Sequence, residues 1–144
     1  MQIVDRDNQG PPFRRFKALI IEGDKSVARL FAEVFAYNDW DAETCGDAPC
    51  ATEAISGDRH YDIILVSYKV PGTNGVEMVK MIRALDHRKG APVLMVTGTQ
   101  GVEEEALQAG ANEVLHKPID INTLVETARK YTMSKQRRFK AVKD

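Results

Sequence analysis

The chain alternates between short apolar runs and longer segments whose apolar residues recur at helical spacing. Three of the runs, at 18–21, 63–66 and 92–96, are continuous and apolar, which is typical of strands buried on both faces of a parallel sheet, and the short segment 113–116 adds a further strand. The run that begins at Trp40 instead alternates apolar and polar positions, as a short strand does. The pattern predicts strands at 16–21, 40–45, 63–66, 92–96 and 113–116.

Five helical segments follow these five strands in turn. Asp47 and Asp120 precede two of them in the position of an N-cap residue, and Pro49 fits the first turn of the helix after Asp47. Strict alternation of strand and helix with short links predicts a doubly wound α/β sandwich around a parallel sheet. The helices are predicted at 26–37, 47–57, 76–85, 103–109 and from 120 to about 133.

Both ends of the chain differ from this pattern. Residues 1–15 are polar and include two adjacent prolines, so we predict a flexible arm there and a domain over 16–133. Residues 129–143 contain seven basic residues and no acidic one, and 134–144 are predicted to form a basic tail. The tail has two interpretations, a solvated extension of the last helix or a segment that docks on an acidic partner or nucleic acid.

Composition narrows the class of protein. The 144 residues suit one domain, and 43% hydrophobic residues, 28% charged residues and a net charge of −1 predict a soluble globular protein without strong attraction to nucleic acid. No apolar run reaches the roughly 20 residues of a membrane span, and the start lacks the apolar core of a signal peptide. Cys45 and Cys50 are too few for a disulfide scaffold, so we expect two partly buried free thiols, rather than the alternative of a redox pair, and a cytoplasmic location.

Polar residues follow the predicted strands at the edge where open α/β sheets bind their ligands. Because the ends of parallel strands converge, these side chains are expected to lie together. Asp24 lies one residue further on, and strand alternation leads us to expect that it points elsewhere. The set comprises Glu22 and Gly23 after the first strand, Ser67 after the third, Thr97 after the fourth and Lys117 after the fifth.

Four segments carry a resemblance to a known family: the end of the first strand, YDIILVS with PGTNG after it, the threonine that ends the fourth strand, and AGANEVLHKP. The intervals of 45 residues from Glu22 to Ser67 and 30 from Ser67 to Thr97 fit it as well. The chain resembles the receiver domain of two-component response regulators, of the single-domain chemotaxis type. The resemblance implies a flavodoxin-like sheet of five parallel strands in the order 2-1-3-4-5, with five helices.

The resemblance also implies what the site has lost. Receivers take a phosphoryl group onto an aspartate at the position of Ser67 and hold Mg²⁺ with an acidic pair at the positions of Glu22 and Gly23. A serine hydroxyl needs a base to become a nucleophile, and only Glu22 remains of the acidic residues. The aromatic residue that often accompanies the switch hydroxyl is Val114 here. We therefore predict a pseudo-receiver with no cofactor and with lost or weak Mg²⁺ binding.

In this interpretation the pocket has a structural role. Lys117 is expected to form an ion pair with Glu22, while Ser67 and Thr97 form hydrogen bonds around it. An anion near Lys117 and Thr97 would bind weakly without Mg²⁺. The predicted degenerate phosphoacceptor pocket consists of Glu22, Gly23, Ser67, Lys69, Thr97 and Lys117.

The expected function is a phosphorylation-independent protein–protein interaction module in two-component-type signalling, without enzymatic activity. As the resemblance implies, the signalling partner would bind the fourth helix, fifth strand and fifth helix, the face assigned to Glu103, Val114 and Arg129. We expect neither membrane nor nucleic acid as a partner, and a monomer or weak homodimer. The alternatives are a genuine phosphorelay receiver with an altered or engineered phosphoacceptor site, and a hydrolase with a Ser67–Lys117 dyad. The chain is either a stand-alone adaptor or a receiver cut from a larger regulator.

Overall fold

The computed structural model describes residues 15–143, and the side chains of residues 15–133. Five parallel strands form one sheet in the order β2-β1-β3-β6-β7, which confirms the predicted fold and strand order. A two-stranded antiparallel hairpin, β4-β5, follows the central strand, where the sequence predicts only a turn. The strands are β1 (Phe16–Ile21), β2 (Trp40–Cys45), β3 (Ile63–Ser67), β4 (Lys69–Val70), β5 (Thr73–Asn74), β6 (Val93–Thr97) and β7 (Glu113–His116).

Five helices cover the two faces of the sheet. Their starts and ends lie close to the predicted ones, except at the end of the last helix, which continues into the predicted basic tail. The helices are α1 (Lys25–Tyr37), α2 (Ala48–Ser56), α3 (Gly75–Ala84), α4 (Glu103–Ala109) and α5 (Ile121–Lys143). The predicted limit of the domain at residue 133 therefore falls inside α5, and the predicted flexible arm lies outside the described residues except for Arg15.

The core consists of two apolar layers, because successive residues of a strand point to opposite faces of the sheet. In β1, Leu19 and Ile21 belong to one layer, under α2, α3 and α4. Ala18 and Ile20 belong to the other layer, which includes the large aromatic side chains of α1 and β2. Both faces of the central strands are thus covered, and their polar chemistry is confined to the strand ends.

Side chains cap the helices as the sequence predicts at two places. Asp47 Oδ1 accepts the backbone N–H of Cys50 at 3.0 Å, and Asp120 Oδ2 accepts that of Thr123 at 3.0 Å. These bonds satisfy backbone donors that have no partner within the helix. They fix the starts of α2 and α5 next to the edge of the sheet that carries the polar strand ends.

A buried arginine caps the other end of α2, and the sequence does not predict it. Arg88 is 3% exposed and donates to the carbonyl oxygens of Ile55, Ala54 and Gly57 at 2.8, 3.1 and 2.9 Å. Its guanidinium also lies 4.8 Å from the centre of the Tyr61 ring. A cation at the C-terminal end of a helix neutralises unpaired carbonyls and the negative end of the helix dipole. Arg88 thereby fixes α2 against the loop that follows α3.

The prediction of two free thiols is wrong. Cys45 and Cys50 are joined by a disulfide, and the described residues include no free cysteine. The turn through Gly46 and Asp47 brings the two Cα atoms to 5.4 Å, a separation usual for a disulfide. Two cysteines reveal no such turn from their spacing alone, which is why the sequence does not predict the bond.

Candidate functional site

The ends of β1, β3, β6 and β7 surround a cleft of about 910 Å³ at the carboxyl edge of the sheet. The β4-β5 hairpin forms one wall of this cleft. All six residues assigned to the pocket line it, so strand topology brings together side chains from distant parts of the chain. They are Glu22, Gly23, Ser67, Lys69, Thr97 and Lys117.

Glu22 is the centre of a hydrogen-bond network at the floor of the cleft. Its Oε1 accepts a hydrogen bond from the Ser67 hydroxyl and another from Lys117 Nζ, the latter at 3.0 Å. Its Oε2 accepts the backbone N–H of Asp24 at 2.9 Å. The predicted ion pair between Glu22 and Lys117 is confirmed, and the Ser67 hydroxyl is part of the same network.

The ion pair is asymmetric in its exposure to water. The side chain of Glu22 is 5% exposed and that of Lys117 is 32% exposed. A buried carboxylate requires a partner, whereas a half-exposed ammonium keeps part of its hydration. Loss of Lys117 should therefore destabilise the protein more than loss of the Glu22 charge, because it leaves a buried carboxylate without a partner. The Ser67–Lys117 dyad of the hydrolase alternative does not form, because both residues donate to Glu22.

Thr97 and Lys69 lie at the rim of the cleft, outside this network. Thr97 is buried, and its Oγ1 accepts the backbone N–H of Thr99 at 2.8 Å. Its carbonyl oxygen accepts the backbone N–H of Lys117 at 2.8 Å. Among the described residues its hydroxyl makes no hydrogen bond to Glu22 or to the Lys117 side chain, which corrects the expectation that the hydroxyl joins the ion pair. Its hydroxyl instead stabilises the turn that follows β6. Lys69 is exposed on β4.

The remaining acidic residue and the glycine do not provide a metal site. Asp24 is the N-cap of α1, and its carboxylate accepts the backbone N–H groups of Ser26 and Val27. A Cβ atom at Gly23 would lie 2.6 Å from Cδ of Pro71, so the proline ring of the hairpin occupies the place of a side chain at residue 23.

Mg²⁺ requires octahedral coordination by oxygen, usually from carboxylates and retained waters. Within the described residues, no group of three or more histidine, cysteine, aspartate or glutamate side chains is arranged to hold a metal ion. Asp24 also lines the cleft, contrary to the expectation that it points elsewhere, but its carboxylate caps α1. Both oxygens of Glu22 already accept hydrogen bonds. This donor set does not fit Mg²⁺.

The face assigned to partner binding needs two corrections. Glu103 is exposed at the start of α4 and lies 3.5 Å from Nε2 of His116, at the end of β7. Val114 is 8% exposed and packs in the core, because its position in β7 points it inwards. Arg129 Nη2 donates to Asn38 Oδ1 at 3.4 Å and thus faces α1, on the other side of α5.

The residues of α5 that do face β7 are the next two along the helix. Lys130 Nζ lies 3.3 Å from Glu113 Oε1, and the Tyr131 hydroxyl donates to the same oxygen at 2.8 Å. Burial, followed by the hydrogen bond to Glu113, raises the pKa of Tyr131. The 100° step of a helix separates Lys130 from Arg129, and a helix boundary known only approximately cannot decide which of them faces the strand.

The chain matches the model of one protein family over most of its length. The model described as "Response regulator receiver domain" matches residues 18–129, which include every strand end of the cleft. The chain belongs to the response regulator receiver domain family. Receiver domains are generally non-enzymatic signalling modules that interact with partners such as kinases.

Individual relatives have low sequence identity to this receiver domain. It is 26% identical over 84% of its length to hybrid signal transduction histidine kinase A of Dictyostelium discoideum, of which it spans only 6%. It is 24% identical over 80% of its length to sporulation initiation phosphotransferase F of Bacillus subtilis, of which it covers 92%.

A solved structure supports the fold. The CheY-like receiver domain protein of Methanospirillum hungatei JF-1 matches 87% of this chain and 99% of its own, with a TM-score of 0.80 at 21% identity. At that identity the likeness concerns the fold alone. No helix among the described residues combines the length and apolar character needed to cross a bilayer.

Proposed function

We propose that this receiver domain works without a phosphoryl group, as a protein–protein interaction module in two-component-type signalling. The observation that carries the proposal is Ser67, which occupies the phosphoacceptor position with its hydroxyl bonded to Glu22. An ionised carboxylate can attack phosphorus directly and form an acyl phosphate, whereas a serine cannot form that product. The usual receiver chemistry therefore lacks its nucleophile.

The donors around Ser67 support the same proposal. Lys117 already has a carboxylate partner 3.0 Å away, so its charge is largely compensated within the protein. Mg²⁺ would meet one carboxylate where a receiver offers three, and the ring of Pro71 lies over Gly23. We expect Mg²⁺ binding to be lost or weak, and the cleft to act as a fixed part of the fold rather than as a reaction site.

Without phosphorylation, the output depends on which conformation a partner prefers to bind. We assign partner binding to the face formed by α4, β7 and α5, with Glu103 and Lys130 as its exposed charges and Val114 beneath them. The domain would have no enzymatic activity of its own and would work in the cytoplasm, without membrane or nucleic acid as a partner, as a monomer or weak homodimer.

Acetyl phosphate and intact-mass spectrometry test the proposal. The full chain is incubated with acetyl phosphate and Mg²⁺, beside a receiver that carries the usual aspartate, and Mg²⁺ binding is measured by calorimetry. We expect no gain of a phosphoryl group and no saturable Mg²⁺ binding in the millimolar range, while the control gains the group. A hydroxylamine-labile phosphoryl group on this chain would refute the proposal.

A second candidate function follows from the bond between Ser67 and Glu22. Glu22 could take the hydroxyl proton as a general base while Ser67 Oγ attacks phosphorus. The new bond joins Ser67 Oγ to phosphorus as the bond to the donor's leaving group breaks, which gives a phosphoserine. Phosphoserine resists hydroxylamine, so peptide mass spectrometry at Ser67, with Ser67→Ala as control, separates this altered receiver from the module proposed above.

A further inference from the structure

The Cys45–Cys50 disulfide connects the end of a core strand to the first turn of a helix. Cys45 is the last residue of β2, is 5% exposed, and packs in the core layer under α2. Cys50 lies three residues after the N-cap of α2 and is exposed. Cys45 is therefore protected from solvent, whereas Cys50 lies at the surface.

The same segment is bonded to the cleft on two sides. The carbonyl oxygen of Cys45 accepts the backbone N–H of Glu22 at 2.9 Å, so the end of β2 holds the residue at the centre of the cleft. The backbone N–H of Ala48 donates to the carbonyl oxygen of Pro71 at 2.9 Å. Pro71 is the hairpin residue whose ring lies over Gly23. The disulfide thus constrains the turn that supports both the floor and one wall of the cleft.

We propose that Cys45–Cys50 is a reversible thiol–disulfide site whose redox state controls the order of this part of the cleft. In a reducing compartment a protein disulfide is usually transient and redox-sensing rather than structural. The exposed position of Cys50 supplies the access that exchange requires. The inference does not depend on whether the domain is phosphorylated, since it concerns the support of the cleft and not the chemistry at Ser67.

The exchange balances with a dithiol of the thioredoxin class as the co-reactant. Its thiolate attacks Cys50 Sγ, a mixed disulfide forms, and the sulfur of Cys45 leaves as a thiolate that takes up a proton. The second thiol of the reductant then attacks the mixed disulfide and releases Cys50 as a thiol. Two electrons and two protons pass to the protein, and the reductant becomes a disulfide. Glutathione disulfide reoxidises the pair: one cysteine thiolate attacks it and releases a glutathione, and the other cysteine thiolate then displaces the second glutathione from the mixed disulfide.

Reduction should loosen the turn without unfolding the domain. A disulfide that closes so short a loop reduces the conformational entropy of the unfolded chain only modestly. Its loss should therefore lower the melting temperature by roughly 5–10 °C. The amides of Glu22 and Ala48 should exchange with deuterium roughly tenfold faster or more after reduction, because the acceptor of the first, Cys45 O, and the donor of the second, Ala48 N, lie on the released segment. The amide of Asn112, bonded to the Val93 carbonyl oxygen at 2.8 Å at the opposite edge of the sheet, is the internal control.

The full chain is equilibrated in a series of glutathione redox buffers and alkylated, and its mass is measured by intact-mass spectrometry. Amide exchange is measured by NMR in the most oxidising and the most reducing buffer. Cys50→Ser is the matched variant: it should behave like the reduced protein and ignore the buffer. We expect one midpoint of reduction, with faster exchange at Glu22 and Ala48 only. The proposal is wrong if both cysteines are alkylated in the oxidised buffer, if a dithiol never reduces the bond, or if those two amides do not respond.

Discussion

The ion pair between Glu22 and Lys117 allows a quantitative test of the structural role of the cleft, namely whether this pair stabilises the folded protein. The perturbation is a double-mutant cycle in which Glu22→Gln and Lys117→Met are made separately and together. Glutamine keeps an acceptor oxygen at the same place, and methionine keeps much of the apolar stem of lysine. Each change therefore removes one charge with little loss of volume.

The burial of the two side chains sets the expected size of the coupling. Exposed ion pairs contribute roughly 0.2–1 kcal/mol, and removal of one partner of a fully buried pair costs roughly 3–5 kcal/mol. Glu22 is 5% exposed but Lys117 is 32% exposed, at 3.0 Å, so this pair lies between the two cases. We expect about 1–2 kcal/mol of coupling, with Lys117→Met costing more than Glu22→Gln because it leaves a buried charge.

Urea denaturation followed by tryptophan fluorescence measures these free energies of unfolding. Trp40 is 1% exposed in the native protein, so unfolding transfers it to water and changes its emission. It starts β2, at the far end of the strand from the cleft, and none of the substituted residues is its neighbour in the chain. Curves with unchanged slopes are needed to compare the four proteins.

A surface pair supplies the matched control. Lys80 Nζ lies 3.3 Å from Glu77 Oε2 on α3, with the two side chains 57% and 56% exposed. The same pair of substitutions there should give a coupling of about 0.5 kcal/mol or less. If the coupling between Glu22 and Lys117 is no larger than this control, the ion pair does not stabilise the cleft and the reasoning above fails.

Three further predictions concern the surroundings of the cleft and the support of α2. Arg88→Ala should lower the free energy of unfolding by about 2–3 kcal/mol in urea, because two carbonyls of α2 and that of its C-cap residue Gly57 lose a charged donor; no change would exclude the capping role. Burial, and then the hydrogen bond to Glu43, raises the pKa of Tyr61. The folded state thus favours neutral Tyr61, and this contribution, complete below about pH 10, is lost as pH rises through the folded pKa. Tyr61→Phe should flatten that fall in stability, and an identical alkaline profile would contradict it. Gly23→Asp should cost about 1–3 kcal/mol through its clash with Pro71, and Pro71→Ala in the same chain should recover part of it; full stability of the single variant would show that the ring moves freely.

The sequence predicts the sheet well because the strands are buried on both faces. Short β-branched runs that are bounded by turn residues are typical of such strands, and the polar residues that end them fall at one edge of the sheet. The contact of Lys117 with Glu22 follows from the same logic, since a carboxylate at that depth requires a cation. These features can be predicted from the residue types and the strand positions alone.

Other features depend on distances that a linear pattern does not contain. The approach of Pro71 to Gly23 depends on how far the β4-β5 hairpin leans over the first strand. The disulfide depends on one turn between β2 and α2. Arg88 reads as an ordinary surface residue in the polar stretch after α3, and only the packed helices show that three carbonyls converge on it.

The contact between Glu22 and Lys117 joins residues that are 95 positions apart in the chain. The carboxylate at the end of β1 and the ammonium after β7 meet only when the first and the last strand in the chain are both in the sheet. A chain that ends before Lys117 would leave the Glu22 carboxylate without its cation at the carboxyl edge of the sheet. The contact therefore forms only when the whole sheet, from β1 to β7, has assembled.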